Sequence, residues 1–281
     1  MSKIVVASHN LMRGTHLDAL AAHHRVLRAE VGLDVLCLQE SRLHADGTVG
    51  ARKLASALGE WAEVIEGDPV HGVALIYDRA RLRLARQEVF LLPRHHKMSL
   101  FEERILLDDR PSQIHALLVT FEPESGEPIS LVNFHLDTVG GTPHRRAQVD
   151  AIARRLREDG LQSRVVVCGD TNAFAFTERR QHGTLTHILG PLAAMGLRDA
   201  ADVRAATHWF ARQEEPGWLH FMVRGLARMG LDIPSRYDVI CTDLPTLGHG
   251  RVETIESDHD LVWAAVSLAD SKPRQRTSSG N

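Results

Sequence analysis

The feature that most restricts this chain is a succession of short apolar segments that each carry a polar group at one end. "KIVVASHN" (3–10), "DVLCLQE" (34–40), "GVALIYD" (72–78), "ISLVNFHLD" (129–137), "RVVVCGD" (164–170), "RYDVICT" (236–242) and "DLVWAAVSL" (260–268) are rich in Val, Ile and Leu. Such runs, bounded by turn residues, read as short buried strands. "WAEVIEG" (61–67), "LRLARQEVFLL" (82–92), "QIHALLVTFE" (113–122) and "GRVETIE" (250–256) extend the series, and "EPESGEP" (122–128) reads as a hairpin turn.

Helical patterns are fewer. Leu17, Leu20, His24, Leu27 and Val31 recur at three- and four-residue steps, one helix face behind Thr15 as N-cap. "ARKLASALG" (51–59) reads as a second helix. Thr142-Pro143 reads as a cap followed by Pro at the first helical position, with Val149, Ile152, Ala153 and Leu156 as the apolar stripe. The stretch after 174 is mostly helical and loop-rich. No internal repeat and no linker interrupts the chain, so residues 1–268 are expected to form one α/β domain. The polar tail 269–281 is expected to be disordered.

Composition narrows the function classes. Hydrophobic content of 43% and charged content of 25% suit a soluble protein with a substantial core. The net charge of −3 provides no global basic field, so nucleic-acid binding would need a local patch or bound cations. Several of the seventeen histidines fall in surface-like contexts, "AHHR" and "RHHK", so their number does not imply metal. Cys37, Cys168 and Cys241 each lie in an apolar run without zinc-ligand spacing and are read as buried free thiols of a reducing compartment. "MSKIVVASHN" is too short and too soon polar for a signal peptide, and no apolar run reaches membrane-spanning length. The expectation is a cytoplasmic protein with no membrane partner.

The polar groups at the segment ends are Asn10, Glu40, His135, Asp137, Asp170, Asn172, Asp238, Asp258 and His259. In "VVVCGDTNAF" (165–174), alternation puts Asp170 and Asn172 on one side if the extended geometry continues through Thr171. Singly, each has a plain structural explanation: a turn residue, a solvated strand end or a hydrogen-bonded histidine. Their order and shared setting carry more weight.

In that order the chain resembles the endonuclease/exonuclease/phosphatase family. The matching pieces are "SHN" (8–10), "LQE" (38–40), "HGVALIYDR" (71–79), "NFHLD" (133–137) followed by "HRRAQVDAI", "GDTN" (169–172), "RYDVI" (236–240) and "SDHDLV" (257–262). The resemblance spans residues 4 to about 268, and "GDTN" and "SDHDLV" are its most specific parts. It implies a four-layer α/β sandwich, two mostly antiparallel sheets face to face with helices outside, and a site at one end where the strand ends converge.

It also implies metal-dependent hydrolysis of a phosphate ester. A hard cation held by oxygen ligands offsets the charge of the substrate and of the leaving oxygen, and Mg²⁺ typically takes one or two carboxylates. Glu40 is the leading ligand, with Asn10 and Asp258 beside it, for Mg²⁺ or Mn²⁺ as substitute. His259, with an unperturbed pKa of about 6.5, suits a general base, oriented by Asp238. Asp170 would orient or deprotonate the attacking water, Asn172 would donate to a phosphoryl oxygen, and His135 would stabilise developing charge. Family members differ over which group is acid and which is base. The acidic partner of His135 is left open among Glu102, Glu103 and Asp109.

Substrate residues are less marked. His71, just before "GVALIYD", and Arg110 are candidates to border the substrate, and Trp209 in "THWFARQ" (207–213) precedes "RYDVI" where relatives place an aromatic contact. The expectation is phosphodiester hydrolysis, with nucleic acid or a nucleotide derivative favoured as ligand and no obligate protein partner. The alternatives are a phosphatase of a small phosphomonoester or sugar or inositol phosphate, and a binding module without catalysis.

Overall fold

The computed structural model describes residues 3–14, 16–42, 49–67, 72–94, 113–124, 126–174, 178–201, 206–209 and 235–269. Its strands are β1 (Lys3–Asn10), β2 (Val35–Gln39), β3 (Ala62–Glu66), β4 (Ala74–Asp78), β5 (Leu82–Leu92) and β6 (Ile114–Pro123). They continue with β7 (Ile129–His135), β8 (Val165–Asp170), β9 (Arg198–Asp199), β10 (Asp238–Thr242), β11 (Thr246–Val252) and β12 (Leu261–Ser267). Helices are α1 (Leu17–Val31), α2 (Gly50–Leu58), α3 (Gly141–Glu158) and α4 (Glu178–Ala193).

Two six-stranded sheets result, ordered β11-β12-β1-β2-β4-β3 and β5-β6-β7-β8-β10-β9. β1 pairs in parallel with β2, and β7 with β8. A parallel pair needs a crossover too long for a hairpin, and α1 and α3 supply the two crossovers. The other neighbours pair antiparallel. Helices cover the outer faces, giving the four-layer α/β sandwich expected from the sequence.

Period-two alternation assigns each strand residue to a layer. Ile4 and Val6 join Val166, Cys168, Leu131, Ile240 and Val262 in the core between the sheets. Val5 and Ala7 face α1 and α2, packing with Leu20, Leu27 and Leu54. Val165 and Val167 face α3 and α4, packing with Ile152, Leu156 and Ile188. Central strands are therefore buried on both faces, which is why their sequences are unbroken apolar runs. Cys37, Cys168 and Cys241 are buried free thiols, and the sulfurs of Cys37 and Cys168 meet across the sheets at 3.1 Å.

Three boundaries differ from the sequence reading. The strand expected at 250–256 ends at Val252, because β11 pairs with β12 from Thr246 and the chain then turns toward the site. Thr15 lies outside the described residues, and the cap position of α1 is His16, without a side-chain cap bond. α3 starts at Gly141 behind Gly140, whose positive φ of 83° makes the turn, so Thr142 and Pro143 sit inside the first turn. Pro is tolerated there because first-turn N–H groups lack intrahelical partners. Residues 270–281 lie outside the described residues, and no described helix is long and apolar enough to cross a membrane.

A buried amide pair ties the sheets together beneath the polar strand ends. Gln39 Nε2 donates to Asn133 Oδ1 at 2.7 Å and to Ser8 Oγ at 3.2 Å. Asn133 Nδ2 donates to the carbonyls of Leu38 and Ala74, each at 2.8 Å. Asn133→Leu, similar in volume, strands these partners without water. The expected cost is about 3 kcal/mol or more, from unsatisfied groups worth roughly 1–3 kcal/mol each. Chemical denaturation would measure it, and an unchanged midpoint would refute the clamp.

Behind β1, the His9 and His24 rings meet inside the helical layer, Nδ1 to Nε2 at 3.1 Å. Burial, with His23 adding repulsion, lowers the His24 pKa from 6.5 to about 3. The unfolded chain therefore binds a proton at pH 5 that the folded chain refuses, and stability falls as pH drops from about 6.5 toward 3. This one group should remove roughly 2 kcal/mol between pH 7 and 5. His24→Leu should shrink the measured pH 7-to-5 stability difference by that amount; an undiminished difference would contradict it.

Candidate active site

The same alternation that builds the inner core delivers polar groups to one end of it. On β8, Val166 and Cys168 point between the sheets, and the next residue of that parity is Asp170. On β1 the series Ile4, Val6, Ser8 ends at Asn10; on β7 Leu131 and Asn133 lead to His135. On β10, Ile240 shares its face with Asp238. The site is thus the polar end of the inter-sheet core.

The groups converge on one oxygen. Asp170 Oδ2 accepts from Asn10 Nδ2 at 3.0 Å, and His135 Nε2 and His259 Nε2 each lie 3.6 Å from it. His259 Nδ1 is 2.8 Å from Asp238 Oδ2, a carboxylate with no solvent exposure. Ser257 holds this loop in place: its hydroxyl donates to the Asn10 carbonyl at 2.9 Å and accepts from His259 N at 3.1 Å.

Burial alone would raise the Asp170 carboxyl, but the His259 and His135 imidazoles and the N–H donors of Asn172 and Asn10 hold it below the ordinary carboxylate value. Burial would likewise strip His259 of its proton, yet Asp238, Asp170 and Asp258 hold its pKa well above the ordinary histidine value. Burial pushes the Asp238 carboxyl up against the pull of His259. Three carboxylates face one imidazole and together favour its protonated form.

Asn172 reaches the site by a different route from the one alternation suggests. β8 stops at Asp170, and Asn172 turns left-handed at φ 48°. Asp170 Oδ1 accepts its backbone N–H at 2.7 Å, and its side-chain Nδ2 donates to the Leu136 carbonyl at 2.8 Å. Gly169, at φ 150°, is required because a Cβ there would overlap the Phe134 carbonyl of the parallel neighbour. Asp137 caps its own loop instead of joining the cluster, bonding Val139 N and His144.

Glu40 follows β2 in a left-handed conformation, φ 55°, that swings its side chain toward β1. Gly72 makes this possible, since a Cβ there would lie 2.9 Å from Glu40 Cα. Glu40 Oε1 takes Asn10 Nδ2 at 3.2 Å, and Oε2 takes Arg13 N at 3.2 Å. Asn10 thus places its nitrogen, not its oxygen, between Glu40 and Asp170, and its Oδ1 accepts from Met12 N at 3.0 Å. Asn10 stands beside Glu40, with its amide nitrogen on that side. It is a donor bridging two carboxylates, whose close approach is what a divalent cation would relieve. Glu40 fits a hard cation; its two oxygens take only neutral N–H donors here.

Segment 206–209 completes the site. Thr207 N and His208 N both donate to Ser235 O, Trp209 N donates to Asp258 O at 2.8 Å, and Asp260 N donates to Thr207 O at 2.7 Å. Trp209 is half-buried, with its indole N–H bonded to Asp260 Oδ2 at 3.1 Å. His208 Nε2 lies 3.5 Å from Asp258 Oδ2. Among the described residues, His208, Asp258 and His259 could hold a metal ion, their ligand atoms lying within 4.8 Å of one another. Sequence reasoning missed His208, which adjoins Trp209 in "THWFARQ". His71, Arg110, Glu102, Glu103 and Asp109 lie outside the described residues.

Two six-stranded sheets packed between helices, with polar strand ends meeting at one pole, make the endonuclease/exonuclease/phosphatase fold. Comparison with solved structures gives the particulars. Zebrafish (D. rerio) TDP2 complexed with a single-strand DNA product matches at TM-score 0.66 and 16% identity, covering 95% of this chain and 100% of that one. An endonuclease/exonuclease/phosphatase protein from Bacteroides vulgatus matches at TM-score 0.66 and 18% identity, over 95% and 100%. A mannosyl-6-phosphatase from Bacteroides thetaiotaomicron matches at TM-score 0.60 and 16% identity, over 94% and 100%. No family model matches the sequence, and no curated protein does. At these identities the likeness establishes the fold.

Proposed function

We propose that this chain is a divalent-cation-dependent phosphoesterase that hydrolyses a phosphodiester with water as nucleophile. The observation that carries the reading is the convergence on Asp170 Oδ2 of Asn10, His135 and His259 from both sheets, with Asp238 behind His259. Asp170, ionised, accepts the proton of the attacking water. His135 and His259 face the same space as N–H donors to phosphoryl oxygens, and His259 can return a proton to the leaving oxygen. Asn172 is the further donor in this reading, through the amide hydrogen not bonded to Leu136. Glu40 and Asp258 would hold Mg²⁺, with Mn²⁺ as substitute. That cation supplies Lewis-acid stabilisation of charge on the phosphoryl group.

Nucleic acid or a nucleotide derivative is the favoured substrate. Trp209 beside the catalytic loop supports this, and the neighbour crystallised with single-strand DNA product is consistent with it. Incubation with single- and double-stranded DNA and RNA, dinucleotides and sugar phosphates, with Mg²⁺, Mn²⁺ or chelator, tests the reading. Cation-dependent cleavage of a phosphodiester, weakened by added salt if the ligand is a polymer, is the expected result. Release of phosphate from monoesters with every diester intact would favour a sugar-phosphate phosphatase. Inertness toward all of them would leave a binding module.

A further inference from the structure

We propose that His208, Asp258 and His259 form a site for a borderline divalent cation of the Zn²⁺ class, and that filling it shuts the hydrolytic centre. The binding part stands on geometry alone; the inhibitory part rests on the phosphoesterase reading. The three side chains contribute two imidazoles and one carboxylate, with residue exposures of 2%, 4% and 6% for His208, His259 and Asp258. Their ligand atoms lie within 4.8 Å of one another, and His208 Nε2 is 3.5 Å from Asp258 Oδ2. A tetrahedral zinc site with bonds of about 2.0–2.2 Å needs only a modest contraction of such a cluster.

The donor set selects the ion. Mg²⁺ prefers oxygen ligands and retains its waters, whereas imidazole nitrogen favours Zn²⁺, Co²⁺ and Ni²⁺. Three protein ligands leave a fourth position for water. Both rings are already oriented. His259 Nδ1 is bonded to Asp238 Oδ2 at 2.8 Å, which turns Nε2 outward, the arrangement in which a carboxylate steadies a metal-binding histidine. His208 is stacked on Tyr237, with centroids 4.4 Å apart and planes 18° apart. Its backbone is pinned to Ser235 by His208 N→Ser235 O at 2.8 Å and Ser235 N→His208 O at 3.0 Å.

The consequence follows from shared atoms. His259 Nε2, which faces Asp170 Oδ2 at 3.6 Å, releases its proton to solvent on binding a cation and can then neither donate nor accept one at the reacting phosphate. Asp258, its negative charge already drawn onto that cation, is a weaker ligand for a hard cation held by Glu40. Borderline and hard cations therefore compete in effect at adjacent positions, and His208 belongs to the first site alone.

The test uses the full chain, with Zn²⁺ titrated calorimetrically and Co²⁺ followed by its visible ligand-field bands. The expected result is one tight site whose affinity falls about tenfold or more in His208→Phe, which keeps the stack on Tyr237 and removes the nitrogen. Unchanged affinity, or Co²⁺ bands that persist in the variant, would overturn the site. If His208→Phe does not fold, as judged by circular dichroism, His208→Gln is read by the same criteria. With an active substrate in hand, Zn²⁺ should suppress Mg²⁺-supported turnover, and the Zn²⁺ concentration needed should rise about tenfold in the variant relative to its own uninhibited rate. Binding without inhibition would overturn the shut-off. A chain inert toward every substrate would defeat the phosphoesterase reading while the Zn²⁺ and Co²⁺ titrations still decided the site.

Discussion

His259→Ala is expected to lower turnover by about 10³–10⁴-fold, Asp238→Asn by a large fraction of that, and the double variant by little more than the worse single change. The pair is 2.8 Å apart, and both members are buried. An amide at 238 cannot stabilise a protonated ring and can impose the wrong tautomer, so the remaining imidazole loses both charge and direction. Removing the ring leaves the carboxylate nothing to orient. Groups that act as one unit therefore show losses that do not multiply. Steady-state kinetics of the two singles and the double would measure this; a double variant losing the product of both single factors would show independent action.

Glu40→Ala is expected to cut turnover by about 10²–10³-fold, the equivalent of roughly 3–4 kcal/mol of electrostatic stabilisation. It should also weaken Mn²⁺ binding measured directly, without substrate. Stability should hold or rise. Glu40 and Asp170 share the single amide nitrogen of Asn10, at 3.2 and 3.0 Å, and deleting one carboxylate relieves their repulsion. The left-handed backbone at φ 55° is strained for Glu and Ala alike, so the substitution adds no new backbone cost. Undiminished cation affinity in this variant, or full activity of the parent chain in excess chelator, would remove Glu40 from the metal-binding role. A large drop in melting temperature would instead make it a structural residue.

Much of the architecture was legible because local chemistry and global fold agree. β4, β7, β8 and β12 fall on the apolar runs from which they were expected, since a strand buried on both faces must be apolar throughout, while β5, at a sheet edge, alternates buried and exposed residues. α2 likewise falls on its amphipathic pattern. Misplaced boundaries had tertiary causes. β11 starts earlier and stops earlier than "GRVETIE" suggested because its register on β12 decides its limits. The start of α3 is made by Gly140, a turn the attractive Thr-Pro pair concealed.

The candidate site divides in the same way. By itself the sequence determined which residue types stand at the strand ends: Asn10, Glu40, His135, Asp170, Asp238, Asp258 and His259. Alternation along a strand is a local property, and it carries a polar residue to the end of a face without reference to the rest of the chain. The sequence could not determine which atom of Asn10 faces its neighbours, that Asn172 arrives through a left-handed turn, or that His208 lies against Asp258 and His259. It could not determine the charge on His259 either. Those features depend on groups up to 160 positions apart in the chain, as Asn10 and Asp170 are. Hydrogen-bond direction and proton affinity are set by distance in space and by exclusion of water, and only the packing of the two sheets decides both.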